Sequence, residues 1–258
     1  MSNDSYFKQL SAKDFRVKNP LWFGLTIVAA FVMFFLSQLV VGLAAATFFI
    51  FSGTSFDDSD AFYGNHAVQL LLTTLVAATL VRMIVWYLKW RGEKKPFKFM
   101  MISKSPLTWS QIGEVVVVYG LYFMTLLVAT IVLSATSAVD VSQSQELGIT
   151  APQTFTSKLL VFSSLVVVVP IFEEILFRGF LFNKLKKYGG QIVSAIFVSV
   201  LFGIAHLEFG NLNWIAVVDT LIFSFFLIYI SQKHKSLYSS ILLHAMKNGI
   251  AFYVLFIR

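Results

Sequence analysis

The 24 residues LLVFSSLVVVVPIFEEILFRGFLF, from Leu159 to Phe182, decide the fold class of this chain. They are long and apolar enough for a helix that crosses a bilayer, which needs about 20 such residues. Yet they contain two carboxylates and one guanidinium, at Glu173, Glu174 and Arg178. Charges inside an apolar segment are costly and mark functional sites by default. The stretch therefore predicts a membrane helix that carries a site.

The rest of the chain repeats the apolar pattern. Its 258 residues are 57% hydrophobic, with a mean hydropathy of +0.78. Segments of roughly spanning length lie at 21–52, 67–89, 110–136, 158–183, 190–207, 213–231 and 237–257. We predict an all-α polytopic membrane protein with about seven transmembrane helices (six to eight). It forms one integral membrane domain, in which residues 1–157 hold a basic arm and three helices, and residues 158–258 form a second, site-bearing part.

Basic and non-basic loops alternate along the chain. The N-terminal arm and the second, fourth and sixth loops carry Lys or Arg, whereas the first, third and fifth loops carry only acidic charges. The positive-inside rule then predicts a cytoplasmic N-terminus and an external C-terminus. The net charge of +7 follows from this topology, so we predict the lipid bilayer, and no nucleic acid, as a partner. The first apolar run is about twice as long as a signal-peptide core, which argues against cleavage.

Several kinds of catalytic site are excluded by what the sequence lacks. There are no cysteines, so a thiolate nucleophile, a disulfide and a cysteine-ligated zinc are all ruled out. The HExxH and GxSxG motifs are also absent. Asp219 is the one aspartate inside a predicted helix, so a two-aspartate site would lack its second member.

Ionisable side chains inside the apolar segments are the candidates for function. They are Arg82, Glu114, Glu173, Glu174, Arg178, His206, Asp219, His244 and Lys247. Arg82 lies near Lys89 and is expected to snorkel toward water, and Glu114 lies near a cytoplasmic end. The others lie in the last hundred residues, where Asp219 is expected to pair with Arg178 or Lys247.

Helix geometry separates the two adjacent glutamates. Glu174 and Arg178 are four residues apart and share a face, so they are expected to pair. Glu173 points about 100° away and has only apolar residues four positions before and after it. A buried carboxylate without a cation suits a general base or acid. The alternative is that all three charges form one structural cluster. Pro170, one turn earlier, is expected to kink the helix and admit water.

His206 is predicted to meet Glu173. Gly189-Gly190 marks a turn between two apolar segments, with Glu173 16 residues before Gly189 and His206 16 residues after Gly190. An antiparallel hairpin places such positions at one depth. Small residues along the second arm would allow the close helix approach that this pairing needs; they are Ser194, Ala195, Ser199 and Gly203.

The last segment adds a polar stripe, in which His244 and Asn248 are four residues apart. Together with Glu173 and His206, these side chains suit the addition of water to an amide. Glu173 and His206 would deprotonate and orient the water, while His244 and Asn248 would donate hydrogen bonds to the oxyanion. Alternatively, Glu173, His206 and His244 could hold a zinc ion. The residue types alone leave both readings open.

Three stretches resemble the motifs of a known family. EEILFR (173–178), FGIAH (202–206) and HAMKN (244–248) are similar to the EExxxR, FxxxH and HxxxN motifs of the CAAX-protease and bacteriocin-processing (CPBP, or Abi) family. That family includes the type II CAAX prenyl endopeptidases. The resemblance covers about 158–250, and its strength lies in the order of the three motifs.

The resemblance implies an intramembrane endopeptidase of a bacterial cell membrane that cuts a membrane-anchored peptide or protein. It implies that Glu173 is the base, that Glu174 and Arg178 complete its motif, and that His206, His244 and Asn248 are the other site residues. Both metalloprotease and metal-free glutamate mechanisms have been assigned to the family; we expect no cofactor, with zinc as the alternative. The competing functions are a non-catalytic partner such as a bacteriocin self-immunity protein, and a proton-coupled transporter.

Overall fold

The computed structural model describes residues 17–53, 59–102, 105–136, 151–207 and 214–258, and within these ranges the chain is helical, without a β-strand. The helices of the first half are α1 (Pro20–Phe51), α2 (Ser59–Gly64), α3 (His66–Trp90), α4 (Pro96–Phe99) and α5 (Trp109–Thr136). Those of the second half are α6 (Phe155–Phe162), α7 (Val169–Glu174), α8 (Asn183–Ile204), α9 (Trp214–His234) and α10 (Leu237–Phe256). Two π-helical segments, Ser163–Val168 and Ile175–Phe182, join α6, α7 and α8 into one long helix.

Side-chain caps explain where several of these helices begin. Asn19 accepts a hydrogen bond from the backbone of Trp22 and is followed by Pro20, which suits the first helical position. Asn65 caps α3 in the same way, and Thr154 forms a capping box with Ser157. These polar residues stand directly before apolar runs, so the helix starts lie within a few residues of the predicted segment starts.

Six described helices are long and apolar enough to cross a membrane, and one of them, Phe155–Ile204, has 50 residues. That helix is broken at Gly190, whose φ of 74° belongs to the region that glycine adopts without strain. After the break the chain folds back on itself, which brings the ring centres of Phe177 and Phe202 to 4.9 Å from each other. This stretch therefore contributes two antiparallel arms, and the prediction of an all-α polytopic protein with about seven spans is confirmed.

Polarity is distributed as expected for a bundle in lipid. Large apolar side chains such as Leu43, Val117 and Ile131 are exposed on the outside, each by more than half of its surface. Glu174 and Arg178, in contrast, have no exposed surface. The outer helices thus face lipid, and the polar groups are collected at the centre.

The basic loops meet at one end of the bundle. Lys187 lies 3.7 Å from Glu93, and the Lys186 ammonium donates to Gln232 at 2.6 Å. The backbone of Leu237 donates to the Met101 carbonyl, which ties the start of α10 to the loop after α4. These contacts fit the predicted alternation, but most of the N-terminal arm and parts of the non-basic loops lie outside the described residues. Which side of the membrane this end faces stays a prediction.

Cysteine labelling tests the orientation on a background without cysteines. We expect a cysteine at position 59 to react with an impermeant maleimide on intact cells, since the positive-inside rule places that loop outside. A cysteine at position 95, where the native lysine is exposed at the basic end, should react only after permeabilisation. The reverse pattern would overturn the orientation.

Candidate active site

The helix that carries the site has an altered hydrogen-bond register around Pro170. In the first π-helical segment the Val169 amide donates to the Ser164 carbonyl, five residues back. By the same register the next donor would serve Leu165, but that donor is Pro170, which has no N–H. The Asn248 amide supplies the missing bond, because its Nδ2 donates to the Leu165 carbonyl at 2.8 Å. The sequence predicted a kink at Pro170; the structure has a π-helical segment on each side of α7, and Asn248 joins α10 to the first of them.

A double-mutant cycle checks this account of Asn248. Asn248→Ala should cost about 1–3 kcal/mol in the free energy of unfolding, because it leaves the Leu165 carbonyl without a donor. In a Pro170→Ala background the new backbone N–H can serve that carbonyl, so the cost of Asn248→Ala should fall by about 1 kcal/mol or more. The measurement is denaturant unfolding in detergent. Equal costs in both backgrounds would show that Pro170 and Asn248 are not coupled.

Glu174 and Arg178 form a buried ion pair, and their pairing was predicted. Arg178 Nη1 donates to Glu174 Oε1 at 2.8 Å, and both side chains are fully buried. Arg178 Nη2 donates to Ser224 of α9, also at 2.8 Å, and the guanidinium lies 4.2 Å from the centre of the Phe202 ring. One arginine therefore connects the site helix to α8 and α9.

His244 lies between the two glutamates. Its Nδ1 lies 3.1 Å from Glu174 Oε1, and its Nε2 lies 3.7 Å from Glu173 Oε2. Because a carboxylate can only accept, the imidazole donates from Nδ1 to Glu174. Glu174 thus orients His244 as well as pairing with Arg178. The sequence analysis assigned Glu174 only the pairing, since no local signal connects residues 70 positions apart.

Glu173 is separate from the ion pair. Its side chain is 18% exposed, and Oε2 is buried without a hydrogen-bond partner among the described residues. Arg178 directs its hydrogen bonds to Glu174 and Ser224 instead. The geometry therefore favours a Glu173 without a cation partner over one cluster of all three charges, with His244 Nε2 3.7 Å from its Oε2.

His206 has a defined orientation. Its Nδ1 donates to the Phe202 carbonyl at 2.8 Å, so in the neutral ring Nε2 is an acceptor. The helix α8, which ends two residues before His206, lies close to α9, since a Cβ on Gly203 would be only 3.0 Å from the Val217 carbonyl oxygen. Ser194 and Ser199 on the same helix are fully buried. Gly203 thus lies at a close helix approach, but the approach is to α9, whereas the sequence predicted one to the helix that carries Glu173.

Two cavities meet at Glu173 and His206, which line both of them. One has a volume of about 270 Å³ and is otherwise lined by apolar residues of α1, of the site helix and of the turn after α8. The other, of about 530 Å³, lies among α5, α9, α10 and the site helix and also reaches His244 and Asn248. Four of the six predicted site residues therefore share one space, and Glu174 and Arg178 are buried behind it.

Among the described residues there is no preformed metal site. No three of their His, Asp or Glu side chains are grouped so that they could hold a metal ion. The alternative zinc set of Glu173, His206 and His244 is therefore not assembled. Both imidazoles direct Nδ1 at Phe202 or Glu174, so Nε2 is the ring nitrogen that each has left for a water molecule, a substrate or a metal.

The remaining ionisable candidates lie around this centre or away from it. Asp219 pairs with Lys247 at 2.8 Å, which is one of its two predicted partners. Glu114 contacts Lys233 and His234 at the basic end of α5 and α9. Arg82 is exposed on α3. Of these, only Asp219 and Lys247 line the larger cavity.

Comparison with known proteins gives one match. Residues 155–250, from the start of α6 into α10, match the family model "Type II CAAX prenyl endopeptidase Rce1-like". No curated protein and no solved structure matches the chain. The matched range contains all three motifs and every residue of the site described above. The match over residues 155–250 confirms the resemblance to the type II CAAX prenyl endopeptidases that the three motifs predicted.

Proposed function

We propose that this protein is an intramembrane endopeptidase that hydrolyses a peptide bond in a membrane-anchored peptide or protein. The family match supports a CAAX-type intramembrane protease. The observation that carries the proposal is the position of Glu173. Its buried Oε2 has no hydrogen-bond partner among the described residues, and it stands where the two cavities meet, beside His206.

The nucleophile in this proposal is a water molecule held by two acceptors. One O–H donates to the Glu173 carboxylate and the other to His206 Nε2, which leaves an oxygen lone pair directed at the substrate carbonyl. As the oxygen attacks, its proton passes to Glu173. When the C–N bond breaks, Glu173 returns this proton to the leaving amine. The products are one carboxylate and one amine, and no oxidant or reductant is required.

His244 and Asn248 are the proposed partners of the oxyanion. Glu174 holds the His244 ring by Nδ1, so that a proton on Nε2 would be directed toward the Glu173 side of the cavity. Asn248 Nδ2 donates one N–H to the Leu165 carbonyl and has a second N–H that could donate to the oxyanion. Donors fixed in this way stabilise a developing negative charge without reorganising during the reaction.

Peptidomics of membrane fractions tests the proposed function. Cells with the wild-type protein should contain cleaved membrane-anchored peptides that are missing from cells with Glu173→Ala. Glu114→Ala is a matched control, because it removes a glutamate of a membrane helix that lies outside both cavities. If the two variants gave the same peptides as wild type, the proteolytic function would be wrong.

We further propose that hydrolysis requires no metal. A catalytic zinc usually has three protein ligands, so Glu173 would have to be one of them and could not also be the free base. Purified protein should therefore keep more than about half of its activity after exhaustive chelation and contain no stoichiometric metal by elemental analysis. Activity that was lost on chelation and restored by zinc would instead make His206 and His244 ligands.

A further inference from the structure

A second charged cluster lies in the larger cavity, and the proposed chemistry does not use it. The Lys247 ammonium lies 2.8 Å from Asp219 Oδ2, and the Tyr122 hydroxyl donates to Asp219 Oδ1. These three residues come from α10, α9 and α5, and all of them line the cavity that also reaches Glu173, His206 and His244. We refer to Tyr122, Asp219 and Lys247 as the cation cluster.

The cation cluster differs from the other ion pair of the bundle interior. Glu174 and Arg178 have no exposed side-chain surface, as suits a structural pair. Lys247 and Asp219 keep 19% and 23% of their side-chain surface exposed, at positions that line the cavity. Placing charge within an apolar cavity is costly. Both charged side chains are therefore within reach of a molecule that enters the cavity.

Lys247 retains the capacity to bind an anion. An ammonium has three N–H donors, and Asp219 is its one ion-pair or hydrogen-bond partner among the described residues. The Phe223 ring lies 4.7 Å from Nζ and the Tyr122 ring 5.7 Å, so that two aromatic faces stabilise the cation without accepting a conventional hydrogen bond. Tyr122 also satisfies the second oxygen of Asp219. Donors on Lys247 are thus left for another carboxylate.

The position of the cluster relates it to the scissile bond. Lys247 follows His244 by three residues and therefore lies on a neighbouring face of α10, about 5–6 Å away between Cβ atoms. An extended peptide advances about 3.3 Å per residue. A peptide whose reacting carbonyl lay beside Glu173 and His244 would bring a group only a few residues away to Lys247.

We propose that the cation cluster is a substrate subsite in which Lys247 binds a carboxylate of the peptide, held a few residues from the bond that is cut. This inference rests on the proposed endopeptidase function. The carboxylate can come from a free peptide C-terminus or from an acidic side chain, and both offer the same two oxygen acceptors to the ammonium.

Binding of three synthetic peptides tests the subsite. The probes are an S-farnesylated Cys-Val-Ile-Ala peptide with a free C-terminal carboxylate, its carboxamide, and a carboxamide in which aspartate replaces the last residue. Affinity is measured by calorimetry in detergent with full-length Glu173→Gln protein, so that no peptide is consumed. We expect the free acid to bind about tenfold to a hundredfold more tightly than the first carboxamide. If the aspartate peptide bound as tightly as the free acid, Lys247 would accept an acidic side chain as well as a C-terminal carboxylate.

Variants of the cluster separate binding from folding. Asp219→Asn with Lys247→Met removes both charges together and should reduce the preference for acid over amide to less than about twofold. Lys247→Arg keeps the charge and should retain most of the preference. Lys233→Met is the matched control, because Lys233 forms an equally short pair with Glu114 outside this cavity. It should leave the preference unchanged.

The results distinguish the subsite from the proposed reaction. If all three peptides bound equally or not at all, or if the double variant kept the preference, the subsite would be overturned. If wild-type protein bound the acid selectively but cut none of the peptides and released no fragments in membranes, the subsite would stand and the endopeptidase function would fail.

Discussion

The Glu173→Gln variant should lose proteolysis by a factor of about 10²–10⁴ in kcat/KM and keep its fold. An amide of the same shape cannot take a proton from water, and positioned general bases contribute rate enhancements of this size. The fold should survive because Glu173 Oε2 has no hydrogen-bond partner among the described residues. A neutral side chain at this position also removes a buried charge, which favours stability.

Two measurements make the test decisive. Cleavage of a substrate identified by peptidomics gives kcat/KM for purified wild-type protein, Glu173→Gln and the control Glu114→Gln, while unfolding in detergent gives their stabilities. The control should act like wild type, since Glu114 belongs to the basic end of the bundle. Full activity of Glu173→Gln would exclude Glu173 as the base. A loss of activity that followed from unfolding would not support its role as the base either.

The sequence predicted the spanning helices well because lipid imposes a strong local constraint. Five of the seven predicted segments correspond to one helix each, and the segments 158–183 and 190–207 correspond to the two arms of the helix Phe155–Ile204. The ends differ by a few residues where caps such as Asn65 and Thr154 act. Gly190 was identifiable as a turn because only glycine adopts its backbone conformation without strain. The i,i+4 pair of Glu174 and Arg178 was predictable for the same reason, since one helix contains both partners.

Contacts between helices could not be predicted in this way. The bonds from His244 to Glu174 and from Asn248 to Leu165 join residues that are 70 and 83 positions apart. Their existence depends on the rotation of α10 about its axis, which spacing along one segment does not determine. Pro170 gave a clue to the second bond, because a missing N–H requires another donor for the carbonyl that it leaves. The sequence predicted a kink there and did not identify the donor.

The Glu174–Arg178 pair has a structural role that differs from the role proposed for Glu173. Glu174 Oε1 accepts from both Arg178 and His244, so one oxygen holds a buried cation and a site imidazole. Removing Glu174 would leave Arg178 charged and without its carboxylate in a fully buried position. Breaking one side of such a pair typically costs about 3–5 kcal/mol. Adjacent glutamates should thus give opposite results: position 173 affects the rate and position 174 affects stability.

We therefore expect Glu174→Gln and Arg178→Met each to lower the free energy of unfolding by about 3–5 kcal/mol. The double variant Glu174→Gln with Arg178→Met should cost less than the sum of the two, because it leaves no unpaired buried charge. Unfolding in detergent measures all three, and Lys233→Met serves as the control, since a pair at the exposed end contributes about 1 kcal/mol or less. Additive losses would contradict the coupling. Loss of the Glu174 carboxylate also removes the group that orients His244. The double variant should therefore regain part of its stability and still show impaired proteolysis.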